Sequence, residues 1–289
     1  MENFPPQLIA LAAALSYATS GIAARRGMQH STPITVTLVS LLVHSVSLWT
    51  ILLLTRGVPT APPLALWLFF LTGTLQPVIR LLTYAGIFYM GASRGTAIRG
   101  SNPLFSTLIA ILVLGERADA WVIAGTMSVV VGITLISWHP QATRSSFRWW
   151  ELALSLGAAL LAGISHPIRR YALSLADEPL YFAATVGLVS LFWMAGYLVS
   201  PFCKERPVWN RKSLAPFLLA GGFETLGIFL VIAALSVGQV VLVSPIVSTS
   251  PLWILAGTKL FLRGIETLTP LTIIGVVCTV VGTIAITQG

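Results

Sequence analysis

Four ionisable side chains stand out within the long apolar stretches of this 289-residue sequence, and they are Arg80, Arg99, His166 and Glu224. A charge at the centre of a membrane helix costs about 2.5–3.5 kcal/mol on insertion scales, so each group needs a compensating environment. We expect all four to face a polar cavity and to contact a small molecule there. One alternative is that Arg80 or Arg99 forms a fixed ion pair with Glu224. Others are that Arg99 extends to the membrane surface and that His166 binds backbone groups freed by Pro167.

Together these groups provide the partners that a zwitterion requires. An ammonium needs an anionic or carbonyl oxygen, and a carboxylate fits the planar fork of a guanidinium. Glu224 with Gln76 supplies the oxygens, and Arg80 or Arg99 supplies the fork. Further candidates carry a hydroxyl, amide or aromatic group suited to the wall of the same cavity, and they are Tyr84, Ser101, Asn102, Ser244, Ser248 and Trp253.

Prolines interrupt several of the apolar stretches, and they are Pro77, Pro103, Pro167, Pro245 and Pro251. Each removes one backbone donor and leaves a carbonyl that needs another partner, so we expect these positions to kink or to act as hinges. The alternative is that membrane helices simply tolerate proline.

The composition decides which elements carry these residues. Apolar residues make up 56% of the chain and charged residues only 9%, whereas soluble domains carry about 25% charged residues. Because a water-facing surface cannot be built from so few charges, the sequence predicts an all-α polytopic membrane protein. Ten continuous apolar runs are long enough to cross a bilayer, near 6–24, 33–55, 64–90, 95–114, 120–138, 149–172, 179–200, 213–237, 240–262 and 267–287. The net charge of +8 lies at the ends of these runs, so we expect no nucleic-acid partner.

The two halves of the chain repeat one pattern. Glu116, Gly125 and Gly132 recur as Glu266, Gly275 and Gly282 at an offset of 150. The segment 101–105 matches 249–253 at an offset of 148, and that offset also superimposes Gln76 on Glu224. Arg25 and Arg26 match Arg169 and Arg170 at an offset of 144. The glycines are expected to allow close helix packing, and the two glutamates to stabilise the start of the helix that follows each of them.

This repeat divides the chain into residues 1–144 and 145–289, with five helices in each half. After an odd number of crossings the second half starts on the opposite side of the membrane. The sequence therefore predicts two inverted five-helix repeats, an arrangement that places a site near the midplane between them.

The same residues carry a family resemblance. Each half has a mid-helix proline, a glutamate in a short turn and then glycines seven residues apart, which resembles the EamA-type carriers of the drug/metabolite transporter (DMT) superfamily. Residues 84–136, with Asn102-Pro103 and Leu114-Gly115-Glu116-Arg117, are the most similar segment. The resemblance implies a ten-helix carrier with a central cavity, and it is strongest to amino-acid exporters of the YddG type.

We therefore predict a secondary transporter that exports amino acids, aromatic or apolar ones among them, or related metabolites by alternating access. No Gly-Lys dipeptide and no paired-cysteine or His-Glu-x-x-His motif occurs, so we expect no nucleotide, metal or other cofactor and no enzymatic activity. The expected partners are a small-molecule substrate, protons and the lipid bilayer, and the expected state is a monomer. The alternatives are efflux of lipophilic cations, with Glu224 as counter-charge, and a membrane enzyme acting on a lipid-linked substrate.

Positive charges in the loops predict the orientation. With Arg80, Arg99 and Lys259 assigned to spans, 14 basic residues are left in loops. Four lie on the side of the termini and ten on the other side; the four are Arg56, Arg117, Arg169 and Arg170. The positive-inside rule then places both termini outside the cytoplasm in a multi-pass inner-membrane protein, although many members of the superfamily are drawn with their termini inside.

Overall fold

A computed structural model describes residues 5–90, 92–137, 149–201, 203, 205–261 and 270–288, and all regular secondary structure in these ranges is helical. The helices are α1 (Pro6–Gly27), α2 (Pro33–Thr55), α3 (Pro63–Met90), α4 (Ala92–Arg99), α5 (Asn102–Ile109, continued by a π-helical turn Ala110–Leu114), α6 (Ala120–Ser137), α7 (Trp149–Leu175), α8 (Pro179–Val199), α9 (Arg211–Val237), α10 (Val240–Val247), α11 (Ser250–Phe261) and α12 (Pro270–Gln288). Glu266 and the connector 139–148, both used in the sequence predictions, lie outside the described residues.

These helices form ten spans. Six are long and apolar enough to cross a membrane, and four shorter apolar helices fall at 102–114, 120–135, 240–254 and 274–286. The all-helical ten-span architecture predicted from the sequence is confirmed. Two predicted spans are broken in the middle: α4 ends before α5 at residues 100–101, and α10 ends before α11 at 248–249. In each case a proline, Pro103 or Pro251, is the second residue of the second segment, where its missing N–H costs no helical hydrogen bond. Pro77, Pro167 and Pro245 lie inside continuous helices.

Apolar side chains cover the outside of the bundle, and polar ones lie within it. Leu54, Phe192 and Val199 are 81%, 72% and 85% exposed. Ser40 and His44, by contrast, are completely buried. This distribution is the reverse of a soluble protein and suits a bilayer, in which polar groups must find their partners inside the protein.

The helix α6 runs antiparallel to α12 in a close, reciprocal contact. A methyl group added at Gly125 would lie 2.6 Å from the carbonyl oxygen of Gly282, and one added at Gly282 would lie 2.6 Å from that of Gly125. Gly132 faces the carbonyl oxygen of Gly275 in the same way, also at 2.6 Å. Reciprocal contact between antiparallel, repeat-related helices implies a two-fold axis perpendicular to them, which is the inverted arrangement. The glycines therefore do allow close packing, as expected.

Two arginines, one in each half of the repeat, make equivalent contacts. These contacts correct the offset that the sequence predicted between the two residues. Arg25 at the end of α1 donates to the carbonyl oxygens of Ile87 and Phe88, at 3.1 and 3.0 Å. Arg170 near the end of α7 donates to Leu235 and Ser236, at 2.9 and 3.0 Å. The two acceptor pairs are related by the offset of 148, so Arg25 corresponds to Arg170. The offset in this region is 145, and the predicted value of 144 was wrong by one residue.

A second correction concerns Arg169 and Arg170, which were counted as loop residues. The helix α7 continues to Leu175, so both lie within it. Arg169 is only 4% exposed. The helix persists because Arg170 finds acceptors in the last turn of α9 and Arg169 finds one inside the bundle, described below.

Candidate functional site

A small cavity lies at the centre of the bundle, where α1, α3, α4, α5, α7 and α10 meet. Its volume is about 10 Å³, which is room for roughly one water molecule. Its wall mixes apolar residues with polar and cationic ones; the lining residues are Tyr17, Gln76, Ile79, Arg99, Asn102, Ala162, Ser165, His166, Arg169 and Val247. The helices of both halves contribute to it.

Two guanidinium groups face this cavity from different helices. Arg169 on α7 donates a hydrogen bond of 2.6 Å to the amide oxygen of Gln76 on α3. Arg99 on α4 lies over the ring of Tyr17, 5.9 Å from the ring centroid. The Nε atoms of Arg99 and Arg169 are buried without a hydrogen-bond partner among the described residues. Each guanidinium therefore keeps an unused donor beside the cavity.

Arg80 lies next to the cavity in a network of its own. It donates to the hydroxyl of Ser40 at 3.0 Å and to Nδ1 of His44 at 3.2 Å. Its Nε is 3.7 Å from Oε1 of Glu224, whose Oε2 accepts from Ser20 at 3.2 Å. Arg80 is 2% exposed. The contact between Arg80 and Glu224 is thus the interhelical ion pair that the sequence left open as an alternative.

The tautomer of His44 follows from its two partners. Its Nε2 lies 2.9 Å from the carbonyl oxygen of Ala183, which can only accept. Nε2 is therefore assigned the proton, and Nδ1 is left as a lone-pair acceptor for Arg80. A neutral histidine in this position orients the guanidinium without adding a charge.

Hydroxyl and amide groups join α5 to α10 beside the cavity. Ser106 donates to the hydroxyl oxygen of Ser244 at 2.6 Å, and that oxygen lies 3.1 Å from Nδ1 of His166. Ser248 donates to the amide oxygen of Asn102. Because α5 and α10 belong to different halves, these hydrogen bonds connect the two halves close to the breaks in both spans.

Of the candidate residues, the structure places Gln76, Arg99, Asn102 and His166 on the cavity wall. Ser244 and Ser248 contact that wall, and Arg80 and Glu224 lie beside it. The other three candidates are outside the lining: Tyr84 is buried in an apolar cluster, Ser101 donates to Ile98 in its own turn, and Trp253 is only partly buried.

Sequence reasoning missed Tyr17, Ser165 and Arg169. Arg169 is three residues after His166, a spacing that puts both on one face of a helix. That spacing was the available signal, but the pair Arg169-Arg170 was interpreted as a loop. Tyr17 and Ser165 carry no signal beyond their positions within apolar runs.

The turn between α9 and α10 is held from two sides. Arg170 binds the last carbonyl groups of α9, as described above. The backbone N–H groups of Val240 and Val241 donate to the two oxygens of Glu116, at 3.0 and 3.1 Å. Cations suit the carboxyl end of a helix and anions its amino end, so both contacts favour the observed geometry. Glu116 thus stabilises the start of α10 and not, as predicted, that of the next helix; Asp119 does that by accepting from Val122.

A bundle with an apolar exterior, buried polar groups and a central cavity between two inverted halves defines a multi-pass membrane transport protein. The family model of the EamA-like transporter family matches residues 5–138 and again residues 149–288. The chain belongs to this family, within the DMT superfamily, as the sequence resemblance indicated. It is accordingly a membrane transporter of small molecules.

Two further comparisons found similar proteins. The chain is 30% identical over 69 residues to the chloroplastic phosphoenolpyruvate/phosphate translocator 2 of Arabidopsis thaliana; the match covers 24% of this chain and 17% of that protein. A solved crystal structure superimposes with a TM-score of 0.78 at 16% identity, covering 98% of this chain and 96% of the other. The second similarity supports the fold alone.

Proposed function

We propose that the protein is a secondary transporter that carries small carboxylate-bearing metabolites, amino acids among them, across the inner membrane. The observation that carries this proposal is the position of Arg99 and Arg169, whose guanidinium groups reach the central cavity from α4 and α7. A guanidinium binds a carboxylate through two parallel hydrogen bonds, a geometry that lysine cannot offer.

The charge of the site favours an anionic group on the substrate over a lipophilic cation. Arg80, Arg99 and Arg169 surround the cavity, and Glu224 is already paired with Arg80. A cation would bring like charge into a region of low dielectric, where repulsion is strong. The similar Arabidopsis protein is named for phosphoenolpyruvate and phosphate, both of which are anions, and this agrees with the same preference.

The mechanism we propose is alternating access between the halves 1–144 and 145–289. A cavity of about 10 Å³ is too small for an amino acid, so a substrate requires the helices around it to move. The breaks at 100–101 and 248–249 provide places where α4 and α11 can pivot relative to α5 and α10. Substrate contacts to both halves would then bias the rocking of one half against the other.

On the side of the termini, the contacts of Arg170 and Glu116 with the α9–α10 turn would have to break whenever that side opens.

We propose protons as the coupling ion, because Glu224 is the acidic side chain nearest the cavity among the described residues. We propose a monomer as the functional state.

The test is uptake of radiolabelled amino acids and simple carboxylates by liposomes that contain the purified protein. We expect uptake by the wild-type protein and its loss in Arg169→Gln. Arg26→Gln provides the matched control, because Arg26 is exposed at the end of α1. Equal uptake by liposomes with and without protein would refute the proposal. A lipid-linked product formed in the same liposomes would favour the membrane-enzyme alternative.

A further inference from the structure

The charges around the cavity do not balance. The helices that line it or pack beside it place three guanidinium groups near the centre, those of Arg80, Arg99 and Arg169. Among the described residues, Glu224 is the acidic side chain that lies near these three guanidinium groups. Glu151 on α7 is 18 residues before Arg169, which is about 27 Å along a helix. The two histidines in contact with this region, His44 and His166, supply no negative charge.

Glu224 does not neutralise the two arginines that face the cavity. Its Oε1 is near Nε of Arg80, and its Oε2 accepts from Ser20. Among the described residues, the partner of Arg169 is the neutral amide of Gln76, and that of Arg99 is the ring of Tyr17. Both have a buried Nε without a partner in the described part of the chain. Within that part of the chain, no acidic side chain is paired with either of these two positive charges.

We propose that the site is built for a dianion: a small organic molecule with two negative charges, such as a dicarboxylate or a phosphorylated carboxylate. This inference rests on the proposed function and specifies its substrate class. One anionic group binds Arg99 on α4 and the other, or a second oxygen of the same group, binds Arg169 on α7. A dianion balances the two charges. A neutral amino acid leaves both uncompensated and adds an ammonium group next to them.

The same geometry links binding to the movement of helices. Arg99 belongs to the first half and Arg169 to the second, so an anion that binds both draws the halves together. Gln76, which accepts from Arg169 in this structure, then becomes one donor among several at the anion. The amide groups of Gln76 and Asn102, both on the wall, complete the coordination of anionic oxygens.

Competition for uptake into liposomes tests this proposal. The probes are succinate, inorganic phosphate, glutamate and leucine, each offered unlabelled against labelled succinate, labelled phosphate and labelled leucine. We expect succinate or phosphate to be transported and leucine to compete at least about tenfold less well, which corresponds to about 1.4 kcal/mol. Uptake of succinate but not of phosphate would indicate a dicarboxylate substrate. Uptake of phosphate but not of succinate would indicate a phosphate-bearing substrate. Either outcome supports the dianion.

Variants separate the two arginines from general effects on folding. Arg99→Gln and Arg169→Gln should each weaken uptake of the dianion by about ten- to a hundredfold, the worth of a hydrogen bond to a charged group. Arg169→Lys retains the charge and should fall between Arg169→Gln and the wild type, so it remains informative if the neutral variant is unstable. Arg26→Gln should match the wild type.

Transport of leucine without competition by succinate or phosphate would overturn the dianion while leaving the carrier function intact. The absence of uptake of every probe would overturn the carrier function itself, and the dianion with it.

Discussion

Arg25 and Arg170 make the same contact at opposite ends of the transporter. Each donates to two consecutive carbonyl oxygens in the last turn of a long helix, Arg25 to α3 and Arg170 to α9. Five spans separate the end of α3 from the end of α9, so the two contacts lie on opposite sides of the membrane. Each arginine compensates carbonyl groups that have no partner within the helix. The inverted repeat is thus expressed in side-chain chemistry as well as in the order of helices.

The glycine contact between α6 and α12 gives a first prediction. Gly125→Ala puts a methyl group 2.6 Å from the carbonyl oxygen of Gly282, and overpacking of this kind costs about 1–3 kcal/mol. We expect thermal unfolding in detergent to shift to lower temperature. The control is Gly222→Ala, because no atom lies within 4 Å of the added methyl there. An equal shift for the two variants would mean that α6 and α12 do not pack as described.

The ion pair beside the cavity gives a second prediction. Removing one partner of a buried pair leaves an uncompensated charge and costs about 3–5 kcal/mol. We expect Arg80→Met to lower the unfolding temperature strongly, and Arg80→Met combined with Glu224→Gln to recover part of the loss. Arg80→Lys should also destabilise, since a single ammonium cannot reach Ser40, His44 and Glu224 together. Losses that simply add in the double variant would show that the pair is not coupled.

Glu224→Gln on its own separates structure from transport. The amide retains the shape and can still accept from Ser20, so the variant should fold, with a lower unfolding temperature than the wild type because Arg80 loses its counter-charge. We expect it to lose transport, or to transport without a response to an imposed pH gradient. Wild-type kinetics with an unchanged response to the gradient would leave Glu224 with a structural role only.

The contact of Glu116 with α10 is tested by hydrogen exchange. In Glu116→Ala the N–H groups of Val240 and Val241 lose their acceptors, a loss worth about 0.5–2 kcal/mol for a helix cap. The amides of a peptide covering 238–243 should therefore exchange about 2- to 30-fold faster by mass spectrometry. Arg117→Ala alters the adjacent exposed side chain and should leave this exchange unchanged. Unaltered exchange in Glu116→Ala would contradict the contact.

Orientation gives a further prediction, and the structure strengthens the charge count behind it. Arg169 lies in the cavity, and Arg25, Arg170 and Arg206 bind carbonyl groups at helix ends, so these four are left out of the count. Two basic residues at the ends of spans are then left on the side of the termini, Arg56 and Arg117. Eight are on the other side: Arg26, Arg94, Arg144, Arg148, Lys204, Arg211, Lys212 and Arg263. We therefore expect both termini outside the cytoplasm.

Labelling of introduced cysteines decides the orientation. In a background without Cys203 and Cys278, Glu2→Cys or Gly289→Cys should react with a membrane-impermeant thiol reagent in intact spheroplasts. Glu205→Cys, in a loop on the opposite side, should react only after permeabilisation. The reverse pattern would place the termini in the cytoplasm.

The spans and their symmetry were predictable, because apolar runs, prolines and glycine spacing are local signals that membranes make strong. The broken spans were only partly predictable. Pro103 and Pro251 indicated an irregularity, but a kink and a complete break give the same sequence pattern. The position of Arg169 was missed because an Arg-Arg pair near the end of an apolar run is typical of a loop. Within α7 both residues have acceptors on distant helices, Arg169 on α3 and Arg170 on α9, which no local pattern indicates.

Contacts between distant parts of the chain were the least predictable. Glu116 and Val240 are 124 residues apart, and no local rule relates a carboxylate in one turn to the amino end of a helix in the other half. The partner of Glu224 was foreseen only as an alternative, since a lone acid and several arginines permit more than one pairing. With an exact offset between the two halves, the repeat would have left fewer possible partners for these residues.

Counterflow shows whether the protein is a carrier that alternates access to the site near Arg169. Liposomes containing the protein are loaded with the unlabelled carboxylate that gives the highest uptake, and a trace of labelled compound is added outside. A carrier returns labelled molecules inward in exchange for unlabelled ones, so the label should rise transiently above its equilibrium level. We predict this overshoot for the wild type and for Arg26→Gln, and its absence in Arg169→Gln. Label that only equilibrates in the wild type, without overshoot, would contradict alternating access.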